Sequence, residues 1–332
     1  MKRLILLIIT CYGLLSGYAN TDTASDSLLQ VLQTLPHDTT RLSTLNDIIK
    51  IEQNNYKCIQ YSDSLMQEAL KLKNDKYASL AAYYHLLYYY NRCEQDSVAK
   101  WIVKMEPLVQ KSGLWDYFFD ARRFQIDLYT FTEQYELAIS EANKMKQKAL
   151  DIDNNRGTVA AYQCLSNAYI GSQRWDEGLK ALEEAYRLLP KNGNAVVHIS
   201  VLSQLISVTK EMKDNYRQLK YLQELENVLR KFINDNPSLK DGFADVFIFN
   251  EIFYAHYYLN TNQPQIAYSH IEKSKKYLTE NTYFMYKVLY YDIYAKYYQS
   301  IKQYQQASAY IDTTLTMLKK DFTSDYAEQL LK

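Results

Sequence analysis

Residues Val159–Asn192 read VAAYQCLSNAYIGSQRWDEGLKALEEAYRLLPKN, and the fold follows from how this stretch is divided. Small and apolar residues recur at helical spacing on both sides of Gly171–Arg174. That pattern predicts two short amphipathic helices joined by a tight turn, closed by Pro190. In such a hairpin a turn aromatic, Trp175, packs near the bend, and a small residue three positions on, Gly178, lets the second helix approach the first.

The same pair of positions recurs along the chain: Tyr56 with Ile59, Gln95 with Val98, Tyr135 with Ala138, Tyr216 with Leu219, Pro264 with Ala267, and Tyr304 with Ala307. With Trp175 and Gly178 in their place, the steps are 39, 40, 40, 41, 48 and 40 residues. The long step carries a loop rich in turn formers, Asn234–Gly242. Seven helical hairpins are expected, over 39–73, 77–111, 115–151, 155–189, 194–232, 243–279 and 282–320. Each buries its apolar stripe only by stacking on its neighbours. With 8 Gly and 5 Pro in 332 residues, the chain lacks the turn formers of a sandwich or barrel.

The 159–192 stretch resembles a tetratricopeptide repeat (TPR). Tyr162, Leu165, Tyr169, Ala185 and Pro190 stand at the pattern's aromatic, Leu, Tyr, last Ala and Pro positions. Ser166, Gly178 and Leu182 depart from it but stay small or apolar. The resemblance implies an all-α fold, an α-α superhelix (TPR-like solenoid) of about seven helical hairpins over residues 39–320. Its period exceeds the roughly 34 residues usual for the motif, implying longer helices or loops. Asp26–Leu35, closed by Pro36, is expected to form a capping helix within residues 20–38. Asp321–Lys332, with Ser324 as N-cap, is expected to be a C-terminal cap or the first helix of a further repeat.

Residues 1–19 read as a secretory signal peptide: Lys2 and Arg3, an apolar middle, and small residues at Gly17 and Ala19. The apolar run is shorter than the ~20 residues of a spanning helix. Cys11 is poorly flanked for lipidation. A periplasmic location is expected. Of the remaining cysteines, Cys58, Cys93 and Cys164 lack metal-like spacing and suit apolar packing; Cys58 and Cys93 lie one repeat apart, leaving a disulfide between them open.

Lys+Arg and Asp+Glu are both 38. The balance argues against nucleic acid as a partner, which favours a basic surface. No nucleophile elbow, zinc motif, phosphate loop or dinucleotide fingerprint occurs, and the five histidines are isolated in sequence. The expectation is a non-enzymatic chain without a cofactor. His85 falls at a buried position of a first helix and reads as a packing residue. Tyrosine is the outlier, with 33 residues. Tyr89, Tyr129, Tyr169, Tyr258 and Tyr298 share one repeat position and read as structural. The remaining tyrosines read as interhelical packing with hydroxyls at the rim, or as part of a binding face.

TPR arrays bind extended peptides or partner segments on the concave face formed by the first helix of each hairpin. Mapped onto this chain, that face comprises Tyr83, Leu87 and Tyr90, then Arg123 and Asp127, then Gln163 and Asn167. Gln204 and Glu211 follow, then His256, then Asp292 and Lys296. The Lys and Asn pattern of chaperone-binding carboxylate clamps is not visible. The expected partner is a protein or peptide.

Beyond the signal peptide, the chain resembles the extracytoplasmic sensor region of Bacteroidetes-type histidine kinases. The resemblance rests on DSLLQVLQTL at Asp26–Leu35, Asp38-Thr39-Thr40-Arg41, and the 40-residue ladder. It implies a ligand-sensing module that bends on binding. A membrane is expected to be involved only if a further C-terminal segment follows, and no phospho-accepting or ATP-binding motif is present. The competing expectations are a free-standing periplasmic scaffold and a glycan-binding outer-membrane component, the latter wanting a lipidation signal that Cys11 does not supply.

Overall fold

A computed structural model describes residues 21–52, 56–190 and 193–322. The expected signal peptide and residues 323–332 lie outside the described residues. The described residues form fifteen α-helices and two short 3-10 turns, with no strand among them. Helix α1 (Thr21–Thr34) precedes seven hairpins. They are α2 (Thr39–Glu52) with α3 (Lys57–Lys71), α4 (Asp75–Tyr90) with α5 (Gln95–Ser112), α6 (Trp115–Phe131) with α7 (Tyr135–Asp151), and α8 (Asn155–Gly171) with α9 (Trp175–Leu188). After them come α10 (Ala195–Glu211) with α11 (Asn215–Asp235), α12 (Ala244–Asn260) with α13 (Pro264–Lys275), and α14 (Phe284–Ser300) with α15 (Tyr304–Phe322). Asp321 and Phe322 therefore complete α15 instead of opening a further helix.

The chain divides into two compact units at Leu188–Leu189, inside the stretch read as one array. In the first unit, α2, α4, α6 and α8 pack side by side, and each also packs on its own second helix. Leu86, Met105, Phe119, Ile126 and Met145 are fully buried between them. Each such side chain contributes about 1.5–3 kcal/mol of transfer free energy. In the second unit α12 and α14 pack together, with Leu222, Leu225, Ile248, Phe249 and Ile293 inside.

Helix starts follow from capping chemistry. Asp38 accepts from the backbone of Thr40 and Arg41, and Asn74, Asn154 and Asp214 accept from Tyr77, Gly157 and Arg217. Each satisfies an N–H that a helix leaves unpaired. Helix ends are more uniform. From the second hairpin on, every first helix closes with a left-handed residue: Cys93, Glu133, Gln173, Lys213, Asn262 and Lys302, with φ between 56° and 66°. The next amide reaches back to the carbonyl of Tyr89, Tyr129, Tyr169, Thr209, Tyr258 or Tyr298, a Schellman closure.

This closure sharpens one reading and corrects another. The bend in 159–192 lies at Gln173, whereas Gly171 still belongs to α8. A Cβ on Gly171 would meet the Tyr135 ring at 2.3 Å, so its role is close packing between hairpins. The left-handed residues also step by 40, 40, 40, 49 and 40, not by 41 and 48 in the middle. The exposed Tyr216 is one residue past the true turn position, Asn215, and the buried Gln218, not Leu219, takes the small-residue position, with its Nε2 donating to the Phe253 carbonyl at 3.5 Å. The 49-residue step is absorbed by a long α11 and, in the turn-rich stretch expected there, by the 3-10 turns Pro237–Leu239 and Asp241–Phe243.

Cys58, Cys93 and Cys164 are all free thiols. Cys58 is buried in α3 while Cys93 is exposed in a turn, so the bridge left open by their spacing is not formed. Burial pushes the Cys58 thiol up to about 11.

Candidate functional site

The repeat register places Tyr83, Arg123 and Gln163 at one helical position and Leu87, Asp127 and Asn167 at another. Because α4, α6 and α8 pack in sequence, these six form two rows crossing three helices. The α4 end is aromatic. Tyr83 is half-buried, with its ring edge-on to Tyr117 at 5.0 Å and 6.2 Å from Phe124. Tyr90 stacks on Phe124 at 4.5 Å. Burial pushes the Tyr83 hydroxyl above its ordinary range. Tyr83 and Tyr90 thus serve packing first, and Leu87 is half-buried beside them.

The α6 part is charged. Arg123 lies 3.8 Å from Asp120, which also pairs with Arg156 of α8 at 2.8 Å. Arg156 reaches Asp116 as well, at 3.4 Å. Asp127 is 9% exposed. Burial raises its pKa to about 6, against the opposing pull of Arg123. Gln163 is buried and Asn167 half-buried in the α8 row. A buried carboxylate can accept from an N–H donor, charged or neutral.

In the second unit the corrected turn places Ser203 and Lys210 where Gln204 and Glu211 were expected. Gln204 is instead buried, and Glu211 pairs with Lys210 at 2.7 Å. Lys210 sits over the Phe253 ring at 5.6 Å. His256 is 5% exposed, and burial, then Lys296, then Lys210 hold its pKa well below the ordinary value. Lys296 pairs with Asp292 at 2.5 Å. Both lysines near the neutral imidazole are thus matched by carboxylates.

His85 is buried, stacked on Trp101 at 4.0 Å with Nε2 3.1 Å from Asp63, as expected of a packing residue. The tyrosine clusters form interhelical stacks. Tyr254 and Tyr258 sandwich against His270, and Tyr294 and Tyr298 against Tyr310. Among the described residues no group of three or more His, Cys, Asp or Glu side chains is arranged to hold a metal ion. Nor is any helix there long and apolar enough to cross a membrane.

Sequence reasoning passed over Asp116, Asp120 and Arg156. The spacing of Asp116 and Arg156, one 40-residue period, was the available signal, since equivalent positions of packed first helices are neighbours. No known protein family matches the chain, and no curated protein matches it.

Proposed function

We propose that this chain is a non-enzymatic, periplasmic protein-interaction module of the TPR type that binds an extended peptide across α4, α6 and α8. The observation that carries the reading is the pair of residue rows centred on Asp127. Burial makes the Asp127 charge costly, which is why its pKa is raised. A bound backbone N–H or basic side chain would relieve that cost. Phe124, one turn away on α6, and Tyr117 beside Tyr83 offer aromatic surface along the face, and Arg123, Asp120 and Arg156 add charge of both signs. Such a mixed face suits a peptide better than a uniformly charged polymer. The periplasmic location rests on residues 1–19 and the sensor role on the resemblance to kinase sensor regions.

The test is selection of displayed peptides against the full chain, followed by titration of the selected peptides on Asp127→Asn and Asn167→Ala variants. The expected result is enrichment of peptides with a basic residue, and weaker binding by both variants at unchanged helicity. Saturable peptides that bind both variants as tightly as the parent chain would overturn it.

A further inference from the structure

In the second unit, α11, the start of α12 and the turn after α13 enclose a cleft of about 250 Å³. Part of its lining is apolar. Phe247 and Tyr277 stack there at 4.9 Å and 11°, and Leu229 and Ile233 add aliphatic surface. The polar lining comes from Glu226, Arg230, Asn250 and Glu251.

Asn250 is 3% exposed, and its side-chain oxygen Oδ1 is buried with no hydrogen-bond partner. Native chains rarely leave such a group unsatisfied, because it forfeits its hydration without return. Asn250 lines the cleft, and a turn of its amide, which exchanges oxygen and nitrogen, would present the acceptor to a donor there.

The neighbouring charges decide what carries that donor. Glu226 is already satisfied: it accepts from Arg230 at 2.6 Å and from the Tyr254 hydroxyl at 3.1 Å. Glu251 uses one oxygen on His270 Nδ1 at 2.6 Å, and its other oxygen has no partner among the described residues. Two carboxylates face one guanidinium, so an anion is disfavoured. Among the described residues no three His, Cys, Asp or Glu side chains are grouped to hold a metal ion. A primary ammonium has three N–H donors, enough for both Glu251 and Asn250, and an alkyl chain that can lie along Phe247 and Tyr277.

We propose that this cleft binds an alkylammonium group, supplied by a free amine or by a lysine side chain of a peptide. The site shares no residue with the face on α4, α6 and α8, so it stands or falls separately from the function proposed above.

The test is calorimetric titration of the full chain with n-pentylamine, Nα-acetyl-lysine methylamide and, as the anionic control, pentanoate. Both ammonium probes are expected to saturate and pentanoate is not. Tighter binding of the lysine derivative identifies a peptide source, and tighter binding of pentylamine a free amine. Glu251→Gln should weaken either by about tenfold, the size of one lost charge-assisted hydrogen bond. Arg230→Ala should strengthen both, because it releases the charge of Glu226. Asn250→Leu should abolish binding; if that variant fails to fold, the half-buried Glu251 and exposed Arg230 still decide the matter. Failure of both amines to saturate, binding of pentanoate, or weaker amine binding by Arg230→Ala would each overturn the proposal. So would an Asn250→Leu variant that melts higher and binds amines unchanged, since the orphan oxygen would then be only a packing fault.

Discussion

The Tyr254 hydroxyl donates to Glu226 at 3.1 Å and so ties α12 to the preceding second helix, α11. One 40-residue period later, Tyr294 donates to Glu272 and ties α14 to α13 in the same way. The rings fill the space between helices while the hydroxyls find a charged acceptor, which is how a tyrosine-rich chain avoids burying unpaired oxygens. Burial, with Glu226 beside it, pushes the Tyr254 hydroxyl above its ordinary range. Tyr254→Phe should therefore cost about 1.5–3 kcal/mol in urea unfolding, the range for a bond to a charged group. Tyr258→Phe, in the same ring stack, should cost less than about 0.5 kcal/mol. Equal costs would show that the ring alone matters.

Gly178 is a departure from the repeat pattern that the packing explains. Alanine stands at the equivalent positions 138, 267 and 307 and is buried there. A Cβ on Gly178 would instead lie 2.6 Å from Ile170 Cγ1 and 3.3 Å from the Ser166 carbonyl oxygen. Gly178→Ala gains up to about 1 kcal/mol of helix propensity but overpacks the α8–α9 contact, at about 1–3 kcal/mol. Net destabilisation of about 1 kcal/mol is expected. Adding Ile170→Val should recover part of it, a coupling that a double-mutant cycle would measure.

The hairpins were legible because each helix repeats an apolar stripe at a fixed period, and that signal survives loose sequence. Register was less so. Tyr216 resembles a turn aromatic, but the turn is set by the backbone at Lys213, and the one-residue error displaced Gln204 and Glu211 from the expected face. The site was legible only as positions. Arg123, Asp127, Gln163 and Asn167 follow from periodicity, whereas the burial of Asp127 is set by tertiary packing that periodicity does not record. The Asn250 cleft left no pattern at all, because its walls come from α11, α12 and a turn that no repeat position links.

Among the described residues, eight other than glycine adopt positive φ, all of them in turns between helices. A side chain in that conformation crowds its own carbonyl at about 1–2 kcal/mol, which glycine avoids. Part of the gain is lost because glycine also frees the unfolded chain. Glu133→Gly, at an exposed turn position, should therefore stabilise by about 0.5–1 kcal/mol in thermal unfolding. Asn262→Gly should gain less, because asparagine tolerates this region. Destabilisation by Glu133→Gly would mean that the side chain itself supports the turn.

His256 sits in a buried site facing Lys210 and Lys296 and stays neutral well below the ordinary histidine range. A free histidine in the unfolded chain takes up its proton near pH 6.5. Stability from this residue is thus fully present above about 6.5 and is lost as pH falls below it, because the unfolded chain binds the proton first. The His256 ring should show no NMR titration between pH 7 and 5.5. His256→Gln should flatten the loss of stability over that interval.

Asp127 makes the opposite contribution. Its pKa is raised to about 6 in the folded chain, against about 3.9 when unfolded. Between these values the folded chain holds the proton that the unfolded chain has released, so stability falls as pH rises through the window. Above pH 6 the full penalty applies, about 3 kcal/mol for a shift of this size, and near pH 4 most of it is gone. Asp127→Asn should therefore stabilise the chain by up to about 3 kcal/mol at pH 7 and by much less at pH 4. The measurement is urea unfolding of both proteins at the two pH values. The same substitution should weaken a basic peptide on the α4–α6–α8 face, so a variant that is more stable and binds less would separate the carboxylate's cost to the fold from its use in recognition. A variant no more stable at pH 7 than at pH 4, relative to the parent, would mean that Asp127 is already satisfied without a ligand.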